Sequence, residues 1–194
     1  MVRWLHTGKS GATTRTKAAA DSAVGASFAF FAQSTAMQKK YLTKEQAIQK
    51  LRHYCGYQER SHGEVKQKLW DLGVRKAEHD EIISSLIEDD YLNEERFAIQ
   101  FVGGKFRMKD WGRKKIYYGL KEKGVGDYII KRAMKEIDDD AYRKTLQELA
   151  EKKYALLKDE QYLVRKKKTM DYLLQKGYEP ELVTTVVNSF GAKE

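Results

Sequence analysis

The chain repeats itself. Ala47, Ala98 and Ala150 stand 51 and 52 residues apart. Leu69, Leu120 and Leu173 form a second column, and Gly73, Gly124 and Gly177 a third, each at spacings of 51 and 53. Each glycine is followed by a core-type residue: Val74, Val125 and Tyr178. Eight positions beyond those come Ile82, Ala133 and Val186, and twelve beyond come Leu86, Ile137 and Phe190. Thr169 against Val65 and Ile116 is the least regular column. A period of this length holds three short helices, and a unit of about 50 residues is marginal alone. Stacked units share a core and make an array whose contacts run between neighbours. The expected fold is therefore all-α, with three tandem three-helix repeats in an elongated array. The units are 39–91, 92–138 and 139–194, with nine helices in all.

Local signals agree with that division. Ala47, Ile48, Leu51, Tyr54 and Cys55 recur at helical spacing. Thr43 with Gln46, and Ser61 with Glu64, are placed as capping boxes, so helices start near 44 and near 62. Gly73 ends the second helix, because glycine takes the left-handed conformation after a helix at little cost. Ile82, Ile83, Leu86 and Ile87 lie on one face of a third helix, about 78–90. Pro180 suits the first turn of the last helix, where its missing N–H costs nothing. The Gly103–Gly104 pair falls inside the fourth helix and implies either a kink or a close helix approach.

Residues 1–38 stand apart. They are rich in Ala, Ser, Thr and Gly, and Asp21 is their one acid. They are read as an N-terminal extension without a fold of its own. A signal peptide fits poorly, because the start is long and the apolar stretch is broken by Gly25 and Ser27. Met37, just ahead of the first helical pattern, is an alternative start.

Several function classes drop out. One Cys cannot form an internal disulfide, and one Pro argues against turn-rich β folds. No run approaches the roughly 18–20 apolar residues of a membrane span. Gly8-Lys9-Ser10 resembles the end of a phosphate loop, but Arg3 occupies the place of the opening glycine. His53, Cys55 and His62 lack an obvious fourth ligand for zinc, and Cys55 lies on the apolar stripe. Asp89-Asp90 read as solvated charge beside Tyr91. No catalytic residue, metal ligand or cofactor is expected.

The charge is patterned. Lys plus Arg number 37 against 28 Asp plus Glu, a formal net charge of +9, which points to an anionic partner. Lys105, Arg107, Lys109, Arg113, Lys114, Lys115, Lys121 and Lys123 crowd residues 105–123, against only Asp110 and Glu122. Arg165, Lys166, Lys167 and Lys168 form a second run. Between Glu78 and Glu95 there are eight acids and no Lys or Arg. The basic runs are either solvated helix surface or a face for phosphates or an acidic protein groove. Trp111, Tyr117 and Tyr118 lie within the first run, where they can stack on bases or pack with Ile116 and Leu120 in the core.

Tyr91-Leu92-Asn93-Glu94-Glu95-Arg96-Phe97-Ala98 followed by Phe101-Val102 resembles the RecX family of recombination regulators. So do Trp111-Gly112 before Ile116, Leu120 and Gly124-Val125. Arg60-Ser61-His62 before Glu64, Lys68-Leu69 and Gly73-Val74 adds to it. The resemblance spans about 44–190. It implies a curved all-helical body and a non-enzymatic, cytoplasmic, monomeric modulator of RecA in recombination and DNA repair. It also implies that the protein lies in the groove of the RecA–single-stranded DNA filament and restrains its ATPase and strand exchange, with single-stranded DNA as a further ligand. The charge clusters, not the resemblance, place Lys105, Arg107, Lys109, Arg113, Lys114, Lys115, Arg165, Lys166, Lys167 and Lys168 on the partner-facing side, toward DNA phosphates or an acidic filament surface. Arg96 is expected either to serve that function or to anchor the fold on a nearby carboxylate. The competing functions are a stand-alone helical DNA-binding protein and a helical interaction scaffold.

Overall fold

A computed structural model of the chain describes residues 42–192, with side chains to residue 190. The extension 1–38 and Met37 lie outside the described residues. Among the described residues nine α-helices run in order: α1 Lys44–Tyr57, α2 His62–Asp71, α3 Lys76–Glu88, α4 Glu94–Lys109, α5 Arg113–Glu122, α6 Asp127–Met134, α7 Asp139–Ala155, α8 Tyr162–Lys176 and α9 Pro180–Asn188. A 3₁₀ turn, Ser189–Ala192, follows. Among the described residues there is no strand. The fold is an all-α array of three-helix units.

Local chemistry explains most helix ends. Thr43 and Ser61 both close capping boxes, with Gln46 and Glu64 respectively. Pro180 takes the first turn of α9. Gly73, Gly124 and Gly177 all lie at positive φ, at 73°, 80° and 93°. After each one the same bond closes the helix. The N–H groups of Val74, Val125 and Tyr178 donate to the carbonyls of Leu69, Leu120 and Leu173. Those three following residues are buried, as are Ala47, Ala98 and Ala150 and the column of Val65, Ile116 and Thr169. Thr169 tolerates burial because its hydroxyl donates to the Arg165 carbonyl at 2.8 Å. Cys55 packs in the core, and burial pushes its thiol up to about 11.

No neighbouring helix approaches the glycine pair of α4 closely. The Arg107 guanidinium folds back over Gly103, within 2.7 Å of where a Cβ would stand, and open space lies above Gly104. Asp89 and Asp90 are not merely solvated. Asp89 pairs with Arg52 at 2.6 Å and Asp90 with Arg96 at 2.7 Å. Arg96 also meets Glu59 at 2.9 Å and the Asp90 carbonyl at 2.7 Å, so it anchors the fold.

The modules are joined unequally. α1–α3 enclose one core, built on Leu51, Leu69, Ile82 and Leu86. α4–α9 enclose a single second core, running from Phe97 through Ile116 and Tyr142 to Val187. The junction between the two cores is polar: Arg96 on Glu59, and Lys123 on Glu64 at 2.8 Å. The junction inside the larger core is made of backbone. The Gly112 N–H donates to the Lys176 carbonyl at 2.9 Å, and the Lys114 N–H to the Gly177 carbonyl at 3.1 Å. The Arg113 N–H donates to the Tyr142 hydroxyl at 3.0 Å. A helix start leaves N–H groups unpaired and a helix end leaves carbonyls unpaired. Here the start of α5 and the end of α8 satisfy each other, and α5 has no side-chain cap.

Burial pushes the Glu64 carboxyl up, but the Lys123 ammonium and the Ser61 N–H outweigh it and hold it below the usual carboxylate range. A carboxyl held low in the folded state adds stability above its unfolded pKa of about 4.3, and that contribution is lost as pH falls through the folded value. Going from about pH 6 to about pH 3 is therefore expected to lower the urea midpoint, and Glu64→Gln to lessen that fall. Equal falls in the two proteins would remove Glu64 from the junction's stability.

Candidate nucleic-acid and partner interface

The basic residues of α4 and α5 do not all share one face. Successive helical residues are turned by about 100°, so Lys105 and Arg107 point in different directions. Lys105 lies over both Phe101 and Trp111, its ammonium 5.1 Å from each ring centre. Lys115 approaches Trp111 at 4.9 Å. The half-buried Trp111 indole is thus held by two ammonium groups, a favourable arrangement because the ring face is electron-rich. The Lys115 ammonium also donates to the Gln175 carbonyl at 3.2 Å. Lys176 extends the same cationic zone, donating to the Lys109 carbonyl at 3.0 Å and lying 3.8 Å from Asp110. Lys176 was not evident as a site residue from sequence. Its only signal there is a lysine in the last turn of a helix.

The other candidates are placed differently. Lys109 and Lys114 are exposed, and among the described residues neither ammonium has an ion-pair partner. Arg113 is engaged within the fold: it pairs with Asp139 and stacks on Tyr142 at 4.3 Å. The Arg113 guanidinium beside Asp139 holds that carboxyl below its ordinary value. Burial pushes the Tyr142 phenol well above its ordinary value, and Glu179, which accepts its proton bond at 2.7 Å, adds to the rise. Tyr142 therefore stays a neutral hydrogen-bond bridge between modules at any ordinary pH.

The second run divides in the same way. Arg165 is turned inward, with its guanidinium 3.5 Å from the Tyr154 ring centre and its Nε donating to the Tyr154 carbonyl at 2.7 Å. Lys168 pairs with Glu160. Lys166 lies 6.0 Å from the Tyr162 ring centre, and Lys167 is exposed. Tyr117 is part of the fold surface, its hydroxyl donating to Asp127 at 2.8 Å, whereas Tyr118 is 65% exposed. A shallow cleft of about 340 Å³ runs beside Lys105. Phe101, Gly104, Met108 and Lys109 line it, with Glu59 at the far side. Trp111 and Tyr117 pack against the larger core, so the surface offers cations, the exposed ring of Tyr118 and no assembled nucleophile or acid–base pair among the described residues.

A body of tandem three-helix units defines a helical-repeat protein. Residues 93–134 match the family model of the second three-helix domain of RecX, and residues 140–187 that of the third. Regulatory protein RecX of Bacillus mycoides (strain KBAB4) is 31% identical over 147 residues, covering 76% of this chain and 52% of that protein. Regulatory protein RecX of Clostridium perfringens (strain 13 / Type A) is 33% identical over 126 residues, covering 64% and 58%. The crystal structure of RecX from Lactobacillus salivarius superposes with a TM-score of 0.69 at 27% identity, covering 77% of this chain and 97% of that one. The chain belongs to the RecX family. It spans a little over half the length of these curated relatives. Among the described residues no helix is long and apolar enough to cross a membrane.

Proposed function

We propose that this protein is a non-enzymatic regulator that binds the RecA–single-stranded DNA filament in the cytoplasm and restrains its ATPase and strand exchange. Its setting is recombination and DNA repair, including the SOS response. The observation that carries this reading is the Lys105–Trp111–Lys115 cluster, with Lys109 and Lys114 beside it, on a body of the RecX family. Exposed cations beside an exposed aromatic side chain, as Lys114 and Tyr118 one helical turn apart on α5, suit a phosphate backbone and stacked bases. A row of modules suits a filament, because several modest contacts on linked modules reinforce one another. Each unit is proposed as one such module: 39–91, 92–138 and 139–194. The protein acts as a monomer and takes no cofactor.

The test is ATP hydrolysis by the host's RecA on single-stranded DNA, with this protein titrated in at two salt concentrations. Suppression at amounts below RecA is expected, weakening at the higher salt. The variant Lys105→Ala/Lys109→Ala/Lys115→Ala keeps the Cβ of Lys115 that packs on Gly177. It is expected to need on the order of tenfold more protein, and its log–log salt slope is expected to fall by about 2, near 0.7 for each lost contact to a single strand. Unchanged suppression and slope, with the variant folded, would remove this cluster from the mechanism. No suppression by the wild-type protein, with DNA retained, would assign it a stand-alone DNA-binding role.

A further inference from the structure

Asp110 is the one acid between Lys105 and Lys115. It ends α4 in the left-handed conformation, at φ 53°, and its N–H donates to the Phe106 carbonyl at 3.0 Å. The chain turns from α4 into α5 within Asp110, Trp111 and Gly112, so this carboxylate is set in the middle of the basic run. Its cation comes from another module. The Lys176 ammonium, at the end of α8, lies 3.8 Å from the Asp110 carboxylate and donates to the Lys109 carbonyl at 3.0 Å. The Lys176 backbone is held at the same place, because its carbonyl accepts from the Gly112 N–H at 2.9 Å. The ends of α4 and α8 both present carbonyls, which favour a cation there. The neighbouring ammonium groups differ in their engagement. Lys105 lies over Phe101 and Trp111, and Lys115 donates to the Gln175 carbonyl at 3.2 Å. Lys109 and Lys114 are exposed, with no ion-pair partner among the described residues.

We infer that Lys176 is a positioning residue: it holds the Asp110 carboxylate as its own counterion and so leaves Lys109 and Lys114 free for the phosphates of a single strand. The inference rests on the nucleic-acid reading of the α4–α5 surface, and it names a residue of the third module that governs that surface. The physical reason is competition. The Asp110 side chain is 42% exposed. Without Lys176 it pairs with an outward ammonium of its own run, and an ammonium so paired is withdrawn from phosphates. Lys176 is suited to the task because it is itself withdrawn. Its side chain is 25% exposed, its ammonium is bound to the Lys109 carbonyl, and it lies 5.7 Å from the Tyr172 ring centre. The third module thus acts on the anion-binding face of the second without touching the anion.

The experiment uses the full chain and a double-mutant cycle. Lys176→Met removes the charge and keeps an unbranched stem beside Tyr172. Asp110→Asn removes the carboxylate and suits the left-handed backbone. Binding to a single-stranded oligothymidylate is measured at several salt concentrations, with the urea midpoint of each variant as the check on the fold. Lys176→Met alone is expected to weaken binding about fivefold, a coupling of ordinary size for groups in one network. Its log–log salt slope is expected to fall by about 0.7, one lost contact to a single strand. In the Asp110→Asn background the same Lys176→Met change is expected to cost nothing in affinity or slope. Equal losses in the two backgrounds overturn the proposal: Lys176 then touches the DNA itself if the urea midpoint is kept, or serves the fold if it falls. Unchanged binding by Lys176→Met also overturns it and leaves the nucleic-acid reading standing. A folded wild-type chain that does not bind the oligonucleotide overturns both readings at once.

Discussion

Gly112→Ala is expected to separate the second and third modules. A Cβ at residue 112 would stand 2.3 Å from both the carbonyl carbon and the oxygen of Gly177. These are backbone atoms at a helix end, and they cannot swing aside as a side chain does. Relief requires the start of α5 to retreat from the end of α8. That would release the Gly112 and Lys114 hydrogen bonds and lift Arg113 from Tyr142. The loss is expected to be about 3 kcal/mol or more, the upper range for a single overpacking change. Gly177→Ala is expected to match it. Its φ is 93°, and its Cβ would meet the Lys115 backbone nitrogen at 2.6 Å. Gly124→Ala is the control. It shares the left-handed backbone at φ 80° but has nothing within 4 Å of the added carbon. It is expected to cost about 1–2 kcal/mol, the conformational term alone. Urea unfolding of the three variants checks this. Equal losses at Gly112, Gly177 and Gly124 would show that backbone conformation, not the close approach, matters at the junction.

Leu51→Ala and Ile116→Ala are expected to destabilise different parts of the molecule. Both side chains are fully buried, but in different cores. Each truncation is expected to cost about 2–5 kcal/mol, from lost burial and the cavity left behind. Hydrogen exchange reads where that loss falls. Leu51→Ala is expected to speed exchange in α1–α3 and leave α5 and α8 protected. Ile116→Ala is expected to speed exchange through α4–α9, including the third module. The reason is that, among the described residues, the two apolar cores are separate and the junction between α1–α3 and α4–α9 carries the ion pairs of Arg96 with Glu59 and Lys123 with Glu64. Exposed or half-exposed ion pairs contribute little coupling. Uniform loss of protection across all nine helices in either variant would show a single cooperative unit instead.

This difference between junctions bears on function. The α4–α9 body holds Trp111 and Lys176 in one rigid frame, because a shared core and backbone bonds join its two modules. The α1–α3 unit is attached by charge, at Arg96 and Lys123. Salt therefore weakens both the attachment of that unit and any contact to phosphates.

The helices and their ends were legible in the sequence because they depend on near neighbours. A capping box needs only Thr43 with Gln46 or Ser61 with Glu64. A glycine stop followed by a buried residue needs only the turn before it, as at Gly73, Gly124 and Gly177. The three-fold repeat was legible because identical units bury identical columns. The candidate interface was legible only as a tally of charge. Arg113, Arg165 and Lys168 look like their neighbours in the sequence, yet each is held by a group brought close through the fold: Asp139 and Tyr142, Tyr154, and Glu160. The indole clamp of Lys105 and Lys115 unites two helices, and the bond from Gly112 to Lys176 joins residues of different modules. By itself the sequence determined which segments are helical, where they stop and that the units recur, because hydrogen bonds and apolar spacing within a few residues decide those. Only the tertiary structure decided that two of the three units share one core and which cations remain outward, because those depend on which distant side chains and helix ends come within a few ångströms of one another.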